Sequence, residues 1–189
     1  MTELASRTVW QLPDWVQPFV DDWVEAGHVF DTVSARMAFV IDLALGNIEH
    51  DTGGPFAAAI FSGETLVAVG VNLVTTQHAS SAHAEIVAIS MAQAALGTHD
   101  LSTAGKLELV TSTEPCAMCL GAIPWSGLTS VVCGAYGEDA EAAGFNEGCK
   151  PEPWSRALTE RGIKLETGVE RVRAAAVFES YLNRGGAIY

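Results

Sequence analysis

Four side chains in this 189-residue chain stand in a pattern that chemistry can use. They are His83 and Glu85 in Ala82-His83-Ala84-Glu85, then Cys116 and Cys119 in Pro115-Cys116-Ala117-Met118-Cys119. An imidazole with two thiolates suits Zn²⁺. Residues three apart on a helix share a face, so both sulfurs can converge on one ion. A helix start also favours thiolate, the metal-binding form. Three protein donors leave a fourth position open, as in catalytic zinc sites, whereas structural sites are closed by four. Glu85 selects the reaction, because it lies two residues from a donor. Zinc lowers the pKa of a coordinated water to about 7, and a nearby carboxylate can take that proton and return it to a leaving amine.

Other readings of these residues stay open at this point. The cysteines could be a redox pair, or Cys133 could close a structural zinc site, although its apolar strand suits a core thiol better. A non-catalytic zinc-folded module that binds a ligand or partner is a further reading, against which Glu85 counts: a scaffold has no use for an acid there. Cys149 and His28, His50, His78 and His99 fall in no such pattern.

Positioning the four side chains falls to two helix starts. Ala82 to Leu96 reads as a buried, Ala-rich helix ended by Gly97. Cys116 to Ile123 reads as a second helix, stopped before Pro124. Upstream, a short helix carries the tryptophans of the first 30 residues (Trp10, Trp15, Trp23), and Asp31 is expected to cap a long helix. Its apolar stripe is Val33, Met37, Val40, Ile41, Ala44, Leu45 and Ile48. Phe56 to Phe61 and Thr65 to Asn72 form a hairpin about Ser62-Gly63-Glu64. Lys106 to Thr111, Val131 to Cys133 and Ile163 to Thr167 read as strands. Trp154 to Glu160 and Arg171 to Leu182 read as helices, and an extended tail follows. Helix, hairpin, then alternating helix and strand imply an α/β fold with a helix-flanked sheet of mixed direction.

The length implies one domain over residues 1–189. Residues 1–50 are an N-terminal helical extension and first long helix, 51–182 the catalytic core, and 183–189 the C-terminal tail. Ten Lys+Arg against 23 Asp+Glu give a net charge of −13, so a nucleic-acid partner is not expected. No apolar run is long enough to span a membrane. The N-terminus lacks a basic segment followed by an apolar one, so the expected location is cytoplasmic.

At these residues the sequence resembles the cytidine-deaminase superfamily, whose nucleobase deaminases share His-x-Glu followed by Pro-Cys-x-x-Cys. Within it the sequence resembles the bacterial guanine deaminases. Gly53-Gly54-Pro55-Phe56, Asn72, Ser112 through Ile123, Trp125-Ser126 and Glu141-Ala142-Ala143-Gly144-Phe145-Asn146-Glu147 carry the likeness. It spans roughly Asp51 to Tyr189, and the stretch before it is longer than in compact members. The resemblance implies a cytidine-deaminase-like three-layer α/β/α sandwich around a five-stranded mixed sheet. It also implies one zinc per chain on His83, Cys116 and Cys119, with Glu85 as the main proton shuttle and Glu147 as a second carboxylate. Asn72 would bond the purine edge, the Ala84 backbone would touch the base, and Phe56 and Trp125 would wall the pocket. The tail ending in Tyr189 would close over substrate, in a homodimer that can exchange this segment. The implied reaction is hydrolysis of guanine to xanthine and ammonia, with aminotriazines such as ammeline as related substrates. Deamination of cytosine or a nucleoside by the same metal chemistry is the alternative.

Overall fold

The computed structural model describes residues 8–189. Residues 1–7 of the expected N-terminal extension lie outside the described residues. The helices are α1 (Val16–Glu25), α2 (Val33–Glu49), α3 (Ala84–Leu96), α4 (Ala117–Ser126), α5 (Gly137–Ala142), α6 (Arg156–Thr159) and α7 (Arg171–Asn183). The strands are β1 (Ala57–Ser62), β2 (Thr65–Val71), β3 (Glu108–Thr113), β4 (Ser130–Ala135) and β5 (Lys164–Glu166).

The strands form one sheet in the order β2-β1-β3-β4-β5. β1 is antiparallel to both β2 and β3, while β3, β4 and β5 are parallel. Four strands therefore share a direction and β1 alone opposes them. Strand pleating sends alternate residues to opposite faces: Ala57, Ala59 and Phe61 enter one core, Ala58 and Ile60 the other. Helices α1, α2 and α7 cover the first face; α3, α4 and α6 cover the second. The result is the three-layer α/β/α sandwich with a five-stranded mixed sheet. No helix among the described residues is long and apolar enough to cross a membrane.

Three local expectations are corrected. The cap of α2 is Thr32, not Asp31: Thr32 is the extended residue at the junction, and its Oγ1 accepts from Ala35 N at 3.1 Å. α2 is also buried beyond the expected stripe. Phe39 and Leu43 are fully buried: Phe39 meets Phe19 and Trp23 of α1 at ring distances of 5.7 and 5.3 Å, Phe30 between α1 and α2 at 5.2 Å, and Phe61 of β1 at 6.5 Å. Finally, α4 does not stop before Pro124 but runs through it to Ser126 and ends on Gly127 at φ +82°. Proline forfeits one hydrogen bond to the carbonyl four residues back. That carbonyl belongs to Leu120, whose neighbour Gly121 is exposed, and Ser126 Oγ donates to Ile123 O at 2.6 Å to hold the last turn.

Candidate active site

Because β1 runs against its neighbours, β2 and β3 end at the same edge of the sheet. α3 follows β2 and α4 follows β3 on one face, so their N-termini meet outside the carboxyl ends of these strands, where open α/β sheets bind ligands. Gly70 on β2 sets how closely α3 approaches. A Cβ there would stand 2.2 Å from Ala84 O and 2.4 Å from Ala88 N, so glycine lets the helix lie directly on the strand.

This junction brings His83, Cys116 and Cys119 together, their donor atoms all within 4.8 Å of one another. His83 Nδ1 lies 3.5 Å from Cys116 Sγ. Tetrahedral zinc with arms of about 2.0 Å to nitrogen and 2.3 Å to sulfur separates the two by about 3.5 Å, so the donors fit the ion. Cys133 sits buried in β4 and does not join the cluster.

The two thiols titrate apart. A hydrogen bond from the Cys119 thiol draws Cys116 down to about 4, against its burial, with His83 assisting. Cys119, the donor in that pair and itself buried, is pushed up. Burial pulls His83 down, but the Cys116 hydrogen bond and the Glu85 charge leave it raised. Glu85, 6% exposed, is raised to about 7, first by burial and then by the Cys116 charge. A carboxyl poised near neutrality suits both taking and giving a proton.

Beside the donors opens a cavity of about 410 Å³ including its mouth. It is lined by Phe56, Asn72, His83, Glu85, Thr113, Glu114, Cys116, Phe145, Asn146, Glu147 and Tyr189. Asn72, Phe56, Glu147 and Tyr189 are thus brought to one space with Glu85. Glu147 is 6% exposed, and burial raises its carboxyl despite the Lys150 charge, which opposes the shift. Within the one chain, the tail folds back so that Tyr189 OH donates to Asn72 Oδ1 at 2.6 Å. Val74 N also donates to that oxygen, and no hydrogen bond among the described residues uses Asn72 Nδ2. Its NH₂ is therefore the end free to meet a ligand acceptor.

Asn72 is also held from behind. Asn47, fully buried on α2, donates from Nδ2 to the carbonyls of Asn72 and Gly54, each at 2.9 Å. Its Oδ1 accepts from Thr52 Oγ1 at 2.7 Å, and Thr52 Oγ1 accepts from the indole nitrogen of Trp15 at 3.0 Å. Trp15 stacks on His50 with centroids 4.8 Å apart.

Two expected site residues are not in the cavity lining. Trp125 is 86% exposed and borders a separate surface groove, because its neighbours Ile123 and Ser126 take the buried positions of α4. Ala84 is fully buried in the core between α3 and the sheet. Phe145 carried no assigned role, yet it lines the cavity and packs edge-on against Phe56 at 4.9 Å and Tyr189 at 5.9 Å. Thr113, Glu114 and Asn146 likewise lacked a role; they flank motif residues in sequence, which was the available signal.

The family described as the cytidine and deoxycytidylate deaminase zinc-binding region matches residues 32–135. The guanine deaminase of Bacillus subtilis is 41% identical over 123 residues, covering 65% of this chain and 77% of that protein. A solved structure of the guanine deaminase from Nitrosomonas europaea superposes with a TM-score of 0.83 at 44% identity, covering 95% of this chain and 98% of that one. A mutant protein crystallised in complex with 8-azaguanine superposes with a TM-score of 0.84 at 44% identity, over 97% and 100% of the two chains. The donor cluster, the neighbouring acid and these likenesses agree: the chain belongs to the cytidine-deaminase-like family of zinc-dependent hydrolytic deaminases, with bacterial guanine deaminases among its relatives.

Proposed function

We propose that the protein hydrolyses guanine to xanthine and ammonia, residues 1–189 forming a single deaminase domain. The observation that carries this reading is a pair of buried carboxylates, Glu85 and Glu147, in one cavity beside the zinc donors. The guanine deaminase relatives and the 8-azaguanine complex support the choice of base.

His83, Cys116 and Cys119 would hold the ion, which would supply Lewis acidity and a water activated near neutral pH. Glu85 takes the proton of the attacking water and delivers it to the ring nitrogen beside the reacting carbon. A C–O bond forms at that carbon, and its bond to the exocyclic nitrogen breaks. The ring nitrogen and the departing amine lie on different sides of the carbon, so two acids can divide the proton transfers. Glu147 gives a proton to the amine, which leaves as ammonia, and the new hydroxyl loses its proton to that carboxylate as the carbonyl of the product forms. Asn72 Nδ2 donates to a ring acceptor, and Phe56 and Phe145 wall the apolar faces of the base. Aminotriazines such as ammeline share the amino-amidine edge and form the second substrate class. The proposal also places the enzyme in the cytoplasm as a homodimer, which light scattering of the purified chain checks.

The test is ammonia release from guanine, cytosine, adenosine and ammeline, offered separately to zinc-loaded protein with Glu85→Gln alongside. Guanine turnover that drops by at least roughly 10²–10⁴-fold in the variant is expected. Turnover of cytosine or adenosine alone would overturn the choice of base. Unchanged turnover in Glu85→Gln would overturn the role of Glu85.

A further inference from the structure

Glu147 sits in a stretch, residues 143–155, with neither helix nor strand, so no regular element orients its side chain. Its main chain is fixed: Glu147 O accepts from Ala117 N, the first residue of α4, at 2.9 Å. Gly148, at φ +71°, donates its N–H to Asn146 Oδ1 at 2.9 Å and turns the chain directly after Glu147. The carboxylate itself meets one cation. Lys150 Nζ donates to Glu147 Oε2 at 3.2 Å and to Pro115 O, next to Cys116, at 3.4 Å.

This pair differs from an ordinary surface ion pair. The side chains of Lys150 and Glu147 are only 14% and 6% exposed, so solvent screens them little and either charge left alone would be costly. Space is reserved for the ammonium as well. A Cβ on Gly137 would stand 2.7 Å from Lys150 Nζ and 3.7 Å from Glu147 Oε2. The Trp154 ring, 5.8 Å from Nζ, borders the cation on another side. Lys150 does not line the cavity, so it meets the reaction only through Glu147.

We infer that Lys150 is a positioning residue for deamination: it grips one oxygen of Glu147, ties the pair to the Pro115 carbonyl beside the zinc donors, and thereby aims the other oxygen into the cavity. This inference rests on the reading of Glu147 as the acid that serves the leaving amine. Misplacing a reacting group by about 1 Å can cost on the order of 10²-fold in rate, and without its cation the Glu147 carboxylate has no hydrogen-bond partner among the described residues.

The test is a double-mutant cycle in zinc-loaded protein, with kcat and KM measured for wild type, Lys150→Met, Glu147→Gln and the double variant. Lys150→Met is expected to lower kcat by roughly 10- to 100-fold with little change in KM. In the Glu147→Gln background the same change is expected to cost almost nothing further, because coupled residues are non-additive. Lys150→Arg keeps the cation and is expected to recover most of the turnover; it also carries the test if Lys150→Met does not fold. Losses that multiply in the double variant, an effect confined to KM, a folded Lys150→Arg no better than Lys150→Met, or a Glu147→Gln variant with wild-type turnover would each overturn the inference. If wild type acts on cytosine and not guanine, the guanine reading fails, and the same cycle run on cytosine still decides the role of Lys150.

Discussion

At the residue scale, Tyr189 decides which end of Asn72 a ligand meets. An amide side chain can present oxygen or NH₂, and here the oxygen is engaged by Tyr189 OH and Val74 N. Removing the hydroxyl leaves that oxygen to Val74 N alone, so rotation of the amide becomes easier. A hydrogen bond contributes about 0.5–1.5 kcal/mol net, so Tyr189→Phe is expected to raise KM for guanine roughly 2- to 10-fold, with a smaller change in kcat. Steady-state kinetics check this, and an unchanged KM would show that Asn72 is fixed without the tail. The zinc donors and Glu85 were legible in the sequence because their types and spacing are local and helix geometry converts spacing into convergence. Glu147 and Asn72 were legible only through the resemblance. Lys150 was not, since in an irregular loop a three-residue spacing says nothing about direction. Trp125 was likewise placed at the pocket wall by the resemblance, and within the one chain the phase of α4 turns it outward.

At the element scale, the site depends on α3 lying against β2. Gly70 permits that contact, and the atoms a Cβ would strike belong to the Ala84 and Ala88 backbone, which no rotamer change can move aside. Overpacking a core costs about 1–3 kcal/mol. Gly70→Val is therefore expected to lower Tm and, by displacing the α3 N-terminus that carries His83 and Glu85, to reduce zinc per chain. Metal analysis and thermal melting check both; full zinc content at wild-type Tm would mean that the helix is not set by this glycine. Element positions were largely readable from hydrophobic period and stop signals such as Gly97. The extent of α4 was not, because proline in a final turn loses only one hydrogen bond and tertiary packing outweighs it. The burial of Phe39 was hidden for a similar reason: it lies off the expected stripe and packs against Phe19 and Trp23 of α1 and Phe61 of β1, which come from elsewhere in the chain.

At the scale of the whole molecule, the insertion of β1 between β2 and β3 brings the two helix starts to one edge. Local pattern does not reveal strand order, since pairing across the sheet joins residues far apart in sequence; Ala58 opposite Thr111 is one such pair. The chain of hydrogen bonds from Trp15 through Thr52 and Asn47 to Asn72 is equally long-range, and it joins the N-terminal helical layer to the substrate wall. Its consequence concerns how the molecule opens. If Trp15 is released only when the Asn72 wall loosens, its indole hydrogen and the amides of α1 exchange with solvent through the same excursion that disorders the cavity. A ligand at about 100 times its Kd stabilises the closed state by about 2.7 kcal/mol and slows such linked exchange on the order of a hundredfold. Deuterium exchange with and without xanthine is thus expected to show slowing at Trp15, a residue that touches no part of the cavity lining. Exchange there that ignores xanthine would mean that α1 frays independently, leaving the wall behind it closed.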